Sequence, residues 1–196
     1  MARIGIVGFP NVGKTTLFNA LTGLEAPTAA HPFSTTEPNM GVAKVPDAEL
    51  DEAARIEGSA KLVHATLELL DLPAMAKQGH SGGFGAQFFG RLRDMEALAI
   101  VLRSFEEDSV PADESGTDAL AQAQDLLLEL ALADFDVFER RREKIVKEAT
   151  GDVAKKGAAE AITRATALLE QGVHLRTEHW ERDQLGAFRD LAPLTL

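Results

Sequence analysis

Cysteine is absent from the 196 residues. That excludes a disulfide framework, thiol nucleophiles and thiolate-held zinc or iron–sulfur sites, and it fits a reducing compartment. Basic residues are scarce: 20 Lys and Arg stand against 31 Asp and Glu, for a net charge of -11. A chain this acidic is not a generic nucleic-acid coat, so any nucleic-acid contact has to be a local basic patch. No apolar run approaches the ~18 residues of a membrane span. The opening Met1-Ala2-Arg3-Ile4-Gly5 lacks the apolar stretch of a signal peptide. Apolar residues make up 45%, enough to build a core. The expectation is a cytoplasmic protein with no membrane partner, one domain or one domain with an insert.

Apolar patterning divides the chain. Arg3–Val7 is a short apolar run that suits a buried strand. Lys14–Leu24 reads as a helix with Leu17, Ala20, Leu21 and Leu24 on one face. Residues 26–46, rich in Pro, Thr, Asn and Gly, form a long loop with a short strand near Gly41–Val45; loops of that length are usually functional. Asp47–Ile56 predicts a short helix starting near Asp47, and Leu62–Leu70 a second buried strand ending at Asp71. Glycines at 79, 82, 83, 85 and 90 predict a mobile segment over 78–90. Ala97–Arg103 is a third strand candidate. Alternation of strand and helix argues for an open α/β sheet.

From about Asp118 the pattern turns helical. Leu127, Leu130, Phe138, Ile145 and Ala149 share helical spacing, Thr150-Gly151-Asp152 breaks it with Asp152 as a cap, and Ala154, Ala158, Ala161, Ala165, Leu168 and Gly172 resume it. The expected organisation is a first part over 1–117, an antiparallel helical hairpin over 118–175, and a return over 176–196.

The chemistry is concentrated early. Gly8-Phe9-Pro10-Asn11-Val12-Gly13-Lys14-Thr15 fits the phosphate-loop pattern, between an expected strand and an expected helix. Glycines let backbone N–H groups curl around phosphate oxygens. Lys14 supplies a compact positive charge to the β and γ phosphates, Thr15 offers a hydroxyl to Mg²⁺, and the helix start presents its positive end to the anion. Asp71, at the end of a strand downstream, stands where a second Mg²⁺-linked carboxylate belongs, acting through a water. Thr35 or Thr36 in the long loop offers a hydroxyl that closes over Mg²⁺ and the γ phosphate.

Residues 8–22 (Gly8 to Thr16 followed by Leu17-Phe18-Asn19-Ala20-Leu21-Thr22), His31-Pro32-Phe33-Ser34-Thr35-Thr36-Glu37-Pro38-Asn39, Val45-Pro46-Asp47 and Arg103-Ser104-Phe105-Glu106-Glu107-Asp108 together resemble the Obg-like ATPases of the YchF family. The resemblance implies a P-loop NTPase domain, G-domain-like, with an open, mainly parallel sheet and an inserted antiparallel α-helical hairpin. It implies that Asn11, Val12, Gly13, Lys14, Thr15 and Thr16 bind phosphates, that Thr15 and Thr35 meet Mg²⁺, and that Asp71 lies beside it. It also implies ATP binding and hydrolysis, with ribosomes as partner. The family's Asp-x-x-Gly becomes Asp71-Leu72-Pro73-Ala74, and its His three residues before Arg103 becomes Ile100. Isoleucine can neither orient water nor donate a proton, so hydrolysis is expected to be slow. The family's base-reading Asn-x-x-Glu and its TGS domain would follow Leu196, so the expectation is a piece of a longer product or a short paralogue. These residues do not separate ATP from GTP.

Two functional readings stay open: a slow Mg²⁺-dependent ATP or GTP switch at the ribosome, and a degenerate, non-hydrolysing nucleotide-binding or protein/RNA-interaction module. The basic group Arg140, Arg141, Arg142, Lys144, Lys147, Lys155 and Lys156 near the hairpin tip is either a solvated face beside Glu139, Glu143 and Glu148 or an RNA or ribosome contact. The five histidines read as ordinary surface or loop residues, Phe84, Phe88 and Phe89 as core anchors, and Trp180 as packing.

Overall fold

The computed structural model describes residues 1–28, 38–73, 86–107, 109–110 and 117–196. The elements run β1 Ala2–Val7, α1 Lys14–Thr22, β2 Asn39–Lys44, α2 Ala48–Glu57, β3 Thr66–Asp71, α3 Ala86–Arg93, β4 Ala97–Ile100, α4 Ala119–Gly151, α5 Lys156–Glu170 and α6 Arg182–Phe188. They fall into two compact units: Met1–Ala76 with Met95–Gln122, and Lys77–Asp94 with Ala123–Leu196.

The first unit is a four-stranded sheet in the order β2-β3-β1-β4. β1 lies parallel to both β3 and β4, and β2 is antiparallel to β3. The strands are shorter than their apolar runs suggest, because a ladder ends where its partner ends. β3 starts at Thr66, opposite the last residue of β2, Lys44, and not at Leu62. β4 closes at Ile100, opposite Val7, because β1 turns away there; a single further bond runs from the Val101 N–H to the Val7 carbonyl (2.8 Å).

Helix α1 turns its leucine-bearing face outward. Leu17, Leu21 and Leu24 are exposed, as is Ala20, and the buried positions are Lys14 and Phe18, one turn apart. The reason lies across the sheet. A Cβ on Gly41 of β2 would come within 2.9 Å of the Phe18 ring, so that glycine is the seat of the phenyl group. Around it Ile6, Phe18, Ala43 and Leu69 form the core. Asp47 caps α2 as expected, its carboxylate accepting the Leu50 N–H at 2.9 Å.

The second unit holds the 33-residue α4 followed by α5. Asp152 caps the turn between them, accepting the Ala154 N–H at 3.0 Å. The seam is formed by Ala131, Phe138 and Ile145 of α4 with Ala159, Ala161, Ile162, Ala165 and Leu169 of α5. Of the residues expected there, Ala154 and Gly172 are exposed. The shift arises because α5 begins only at Lys156, after a 3₁₀ turn over Val153–Lys155 that changes the phase of the repeat. Trp180 packs as expected, edge-on to Phe188 with ring centres 4.8 Å apart and its indole N–H donating to the Leu175 carbonyl at 2.7 Å. The segment expected to be mobile over 78–90 is helical from Ala86 onward; there Phe88 and Phe89 meet edge-on, half-buried. Phe84 lies outside the described residues.

A buried polar node sits inside this unit. Asp134 is fully buried and accepts the Thr195 N–H (2.9 Å), the Thr195 hydroxyl (2.7 Å), the Leu194 N–H (3.1 Å) and the Arg93 guanidinium (2.6 Å). Arg93 also donates to the carbonyls of Ala133 and Ala192. All its charge is compensated, the condition under which a buried ion pair is tolerable. His174, expected as a surface or loop residue, lies in the loop after α5 but is buried there; it pairs through Nε2 with the Leu127 carbonyl at 2.8 Å. A carbonyl only accepts, so that ring nitrogen carries the proton. Among the described residues no helix is long and apolar enough to cross a membrane, and no group of three His, Cys, Asp or Glu could hold a metal ion.

Candidate functional site

The buried end of β1, Gly5 to Val7, delivers the chain to Gly8. A side chain there is impossible: its Cβ would lie 2.4 Å from the Val101 carbonyl oxygen. The turn that follows uses left-handed backbone twice, at Asn11 (φ 59°) and Gly13 (φ 99°). Asparagine is one of the few side chains that tolerates that region, and glycine takes it freely. Phe9 and Val12 point inward and are buried. The loop is thus anchored by two apolar side chains while its backbone wraps toward α1.

At the start of α1 the first intrahelical bond is from the Leu17 N–H to the Gly13 carbonyl, at 2.9 Å. The N–H groups of Lys14, Thr15 and Thr16 have no intrahelical partner, and the helix dipole adds positive potential at the same place. Lys14 is buried, 7% exposed, and its ammonium donates to the Phe9 carbonyl at 2.9 Å. Burial pulls its pKa down to about 8, against the opposing pull of the Asp71 charge. An ammonium held dry at the mouth of an N–H-lined loop is a site for an anion.

Asp71 ends β3 and is 1% exposed. Its Oδ2 accepts the Thr15 hydroxyl at 2.7 Å and the Asn39 amide at 3.1 Å. Among the described residues its Oδ1 is buried with no hydrogen-bond partner. An orphaned carboxylate oxygen is costly unless something electropositive meets it. Beside the Thr15 hydroxyl it presents hard oxygen donors, which suit Mg²⁺ with its retained waters. The residues present fit that ion.

The structure therefore brings Asn11 to Thr16 and Asp71 together. Thr35 and Thr36 lie outside the described residues, as do Ala74 and His31. Ile100 ends β4 beside Val7, at the base of the loop. Asn39 was not singled out on sequence grounds, although the register that sets it opposite Asp71 makes it that carboxylate's second donor. At the hairpin tip, Arg142 pairs with Glu139 (2.6 Å), while Arg141 (3.6 Å) and Lys155 (2.9 Å) share Glu148.

A strand, a glycine-bearing anion loop with a buried lysine, a helix, and a strand-end aspartate beside the loop's threonine define the class: a P-loop nucleotide-binding domain of G-domain type. The model of the 50S ribosome-binding GTPase family matches residues 3–133. The ribosome-binding ATPase YchF of Escherichia coli O157:H7 is 37% identical over 196 residues, which is 99% of this chain and 54% of that protein. The Bacillus subtilis protein of the same name is 36% identical over 144 residues, 73% of this chain and 39% of its own. The solved structure of the Schizosaccharomyces pombe YchF GTPase superposes with a TM-score of 0.78 at 27% identity, covering 99% of this chain and 54% of that one. The chain belongs to the YchF family of the P-loop GTPase superfamily. It spans about half the length of the curated relatives it matches.

Proposed function

We propose that this chain binds a purine nucleoside triphosphate with Mg²⁺ and turns it over slowly, as a nucleotide-dependent switch. The observation that carries this reading is the Thr15–Asp71 contact at 2.7 Å, with Asp71 Oδ1 buried beside it and unpartnered among the described residues. In this reading the N–H groups from Asn11 to Thr16 and the Lys14 ammonium hold the phosphates, while Thr15 and Asp71, with Thr35 from the long loop, hold Mg²⁺. When bound, that ion neutralises charge on the β and γ phosphate oxygens. Lys14 exchanges the Phe9 carbonyl for a phosphate oxygen, and Asn39 keeps Asp71 in place. The relatives' names pair the family with both ATP and GTP, and with ribosomes. We extend ribosome association to this chain, with residues 118–175 as the inserted hairpin and Arg140, Lys144, Lys147 and Lys156 at its tip as the RNA contact.

Ile100 favours a second reading, binding without hydrolysis, because nothing at that position can handle a proton or a water. A single-turnover assay separates the two: release of inorganic phosphate supports the switch, and its absence with retained binding supports the inert module. The primary test is a Mg²⁺-dependent titration with fluorescent ATP and GTP analogues. Lys14→Ala is expected to remove binding while the fold persists, a loss on the order of 2–5 kcal/mol for a desolvated charge contact. Unchanged affinity in that variant would falsify the phosphate-loop assignment.

A further inference from the structure

We propose that Gln122 is a positioning residue for the phosphate loop, because its carboxamide fixes the backbone segment on which Gly8 rests. The proposal builds on the reading of residues 8–16 as a phosphate site and adds a residue that belongs to no motif. Beyond Ile100 and the single Val101–Val7 bond, no strand among the described residues pairs with β4's continuation, since β1 has turned into the loop. Gln122, 1% exposed, takes over that role. Its Oε1 accepts the Arg103 N–H at 2.8 Å and its Nε2 donates to the Arg103 carbonyl at 3.1 Å. One side chain thus pairs with a peptide on both sides, as a neighbouring strand would. The first unit uses the same device at Asn19, whose carboxamide pairs with both backbone groups of Ala26 at 2.9 Å.

Both ends of the clamp are rigid. Gln122 belongs to the first turn of α4, where its own N–H bonds the Asp118 carbonyl at 3.0 Å and the Asp118 carboxylate caps the N–H groups of Leu120 and Ala121. Arg103 is 2% exposed, donates to the carbonyls of Phe105 (3.2 Å) and Val110 (2.9 Å), and stacks on the Phe105 ring at 4.5 Å. Two residues earlier, the Val101 carbonyl fills the space a Gly8 side chain would need, and Val12 closes the same space from within the loop. With no slack between Val101 and Gly8, a displacement of the 101–103 segment passes straight into the loop. Misplacing a binding group by an ångström costs about a hundredfold; a shift of a few tenths costs about tenfold.

The experiment is the Mg²⁺–ATP and Mg²⁺–GTP titration on the full chain, run well below each variant's Tm. Gln122→Met keeps the length and packing of the side chain and loses both bonds; its dissociation constant is expected to rise about tenfold. Gln122→Glu keeps an acceptor for the Arg103 N–H and loses the donor, so it falls between Gln122→Met and wild type. Ile162→Ala hollows the core of the second unit, which holds none of the phosphate-loop residues; it lowers Tm while leaving affinity within about twofold, which a merely structural role for Gln122 would also predict of Gln122→Met. Wild-type affinity in both folded Gln122 variants overturns the proposal. A wild-type chain that binds neither nucleotide overturns the function reading instead, and this inference with it.

Discussion

Lys14 carries its charge in a place that resists it. Its pKa is pulled to about 8 from the ordinary 10.5, a difference of roughly 3 kcal/mol in what the fold spends on the charged form. Between those values the unfolded chain holds a proton that the folded chain has released. The contribution of Lys14 to stability therefore rises as pH climbs from about 8 to 10.5. Triphosphate binding has the opposite dependence. Bound phosphate retains the ammonium, whereas above about pH 8 the free site has lost it, so affinity should fall with pH by up to tenfold per unit. Titrations from pH 7 to 10 check this, with Lys14→Met as the variant expected to bind weakly at every pH. A flat profile in the wild type would mean that the ammonium is not at the phosphates. The lysine itself was legible in the sequence, because its loop has a fixed spacing. Its burial was not, since that depends on how the loop folds back to set the Phe9 carbonyl against the ammonium.

At the level of elements, β2 and α1 depend on an empty position. Gly41→Ala places a methyl group 2.7 Å from Thr22 Cγ2 and 2.9 Å from both Leu24 Cδ1 and the Phe18 ring. Overpacking of this kind costs about 1–3 kcal/mol. Because Phe18 is one turn from Lys14 on the same helix, the substitution should lower both the urea midpoint and triphosphate affinity; a neutral Gly41→Ala would show that α1 can slide to accept it. Helix α1 also shows where sequence reading loses its hold. Three leucines at helical spacing form a persuasive stripe, yet one phenylalanine seated over a glycine on another strand sets the helix's rotation. The short-range features, the Asp47 and Asp152 caps and the loop itself, were legible because cause and effect lie within a few residues. Asn39, Gln122 and Asp134 act on partners 32, 19 and 61 residues away, and a lone polar residue in a helix or strand carries no local sign of that.

For the molecule as a whole, the two units present different kinds of vulnerability. The first is held by a sheet and can lose single contacts; the second is closed by one carboxylate. Asp134→Ala leaves the Arg93 guanidinium and the N–H groups of Leu194 and Thr195 buried without their acceptor, a loss of about 3–5 kcal/mol. Trp180, the only tryptophan, lies in the same unit and reports it. Urea unfolding followed by its fluorescence should show a clear fall in midpoint, and an unshifted curve would mean that water replaces the lost acceptor. The same node orders events in time. On a chain emerging from a ribosome, α4 and α5 can close on each other once Leu169 is free, through contacts near in sequence. Asp134 has to wait for Thr195, and Arg93 for Ala192 at a separation of 99 residues. The carboxylate stays hydrated through the early collapse and is sealed at the end, so changes at Asp134 hasten unfolding far more than they slow folding.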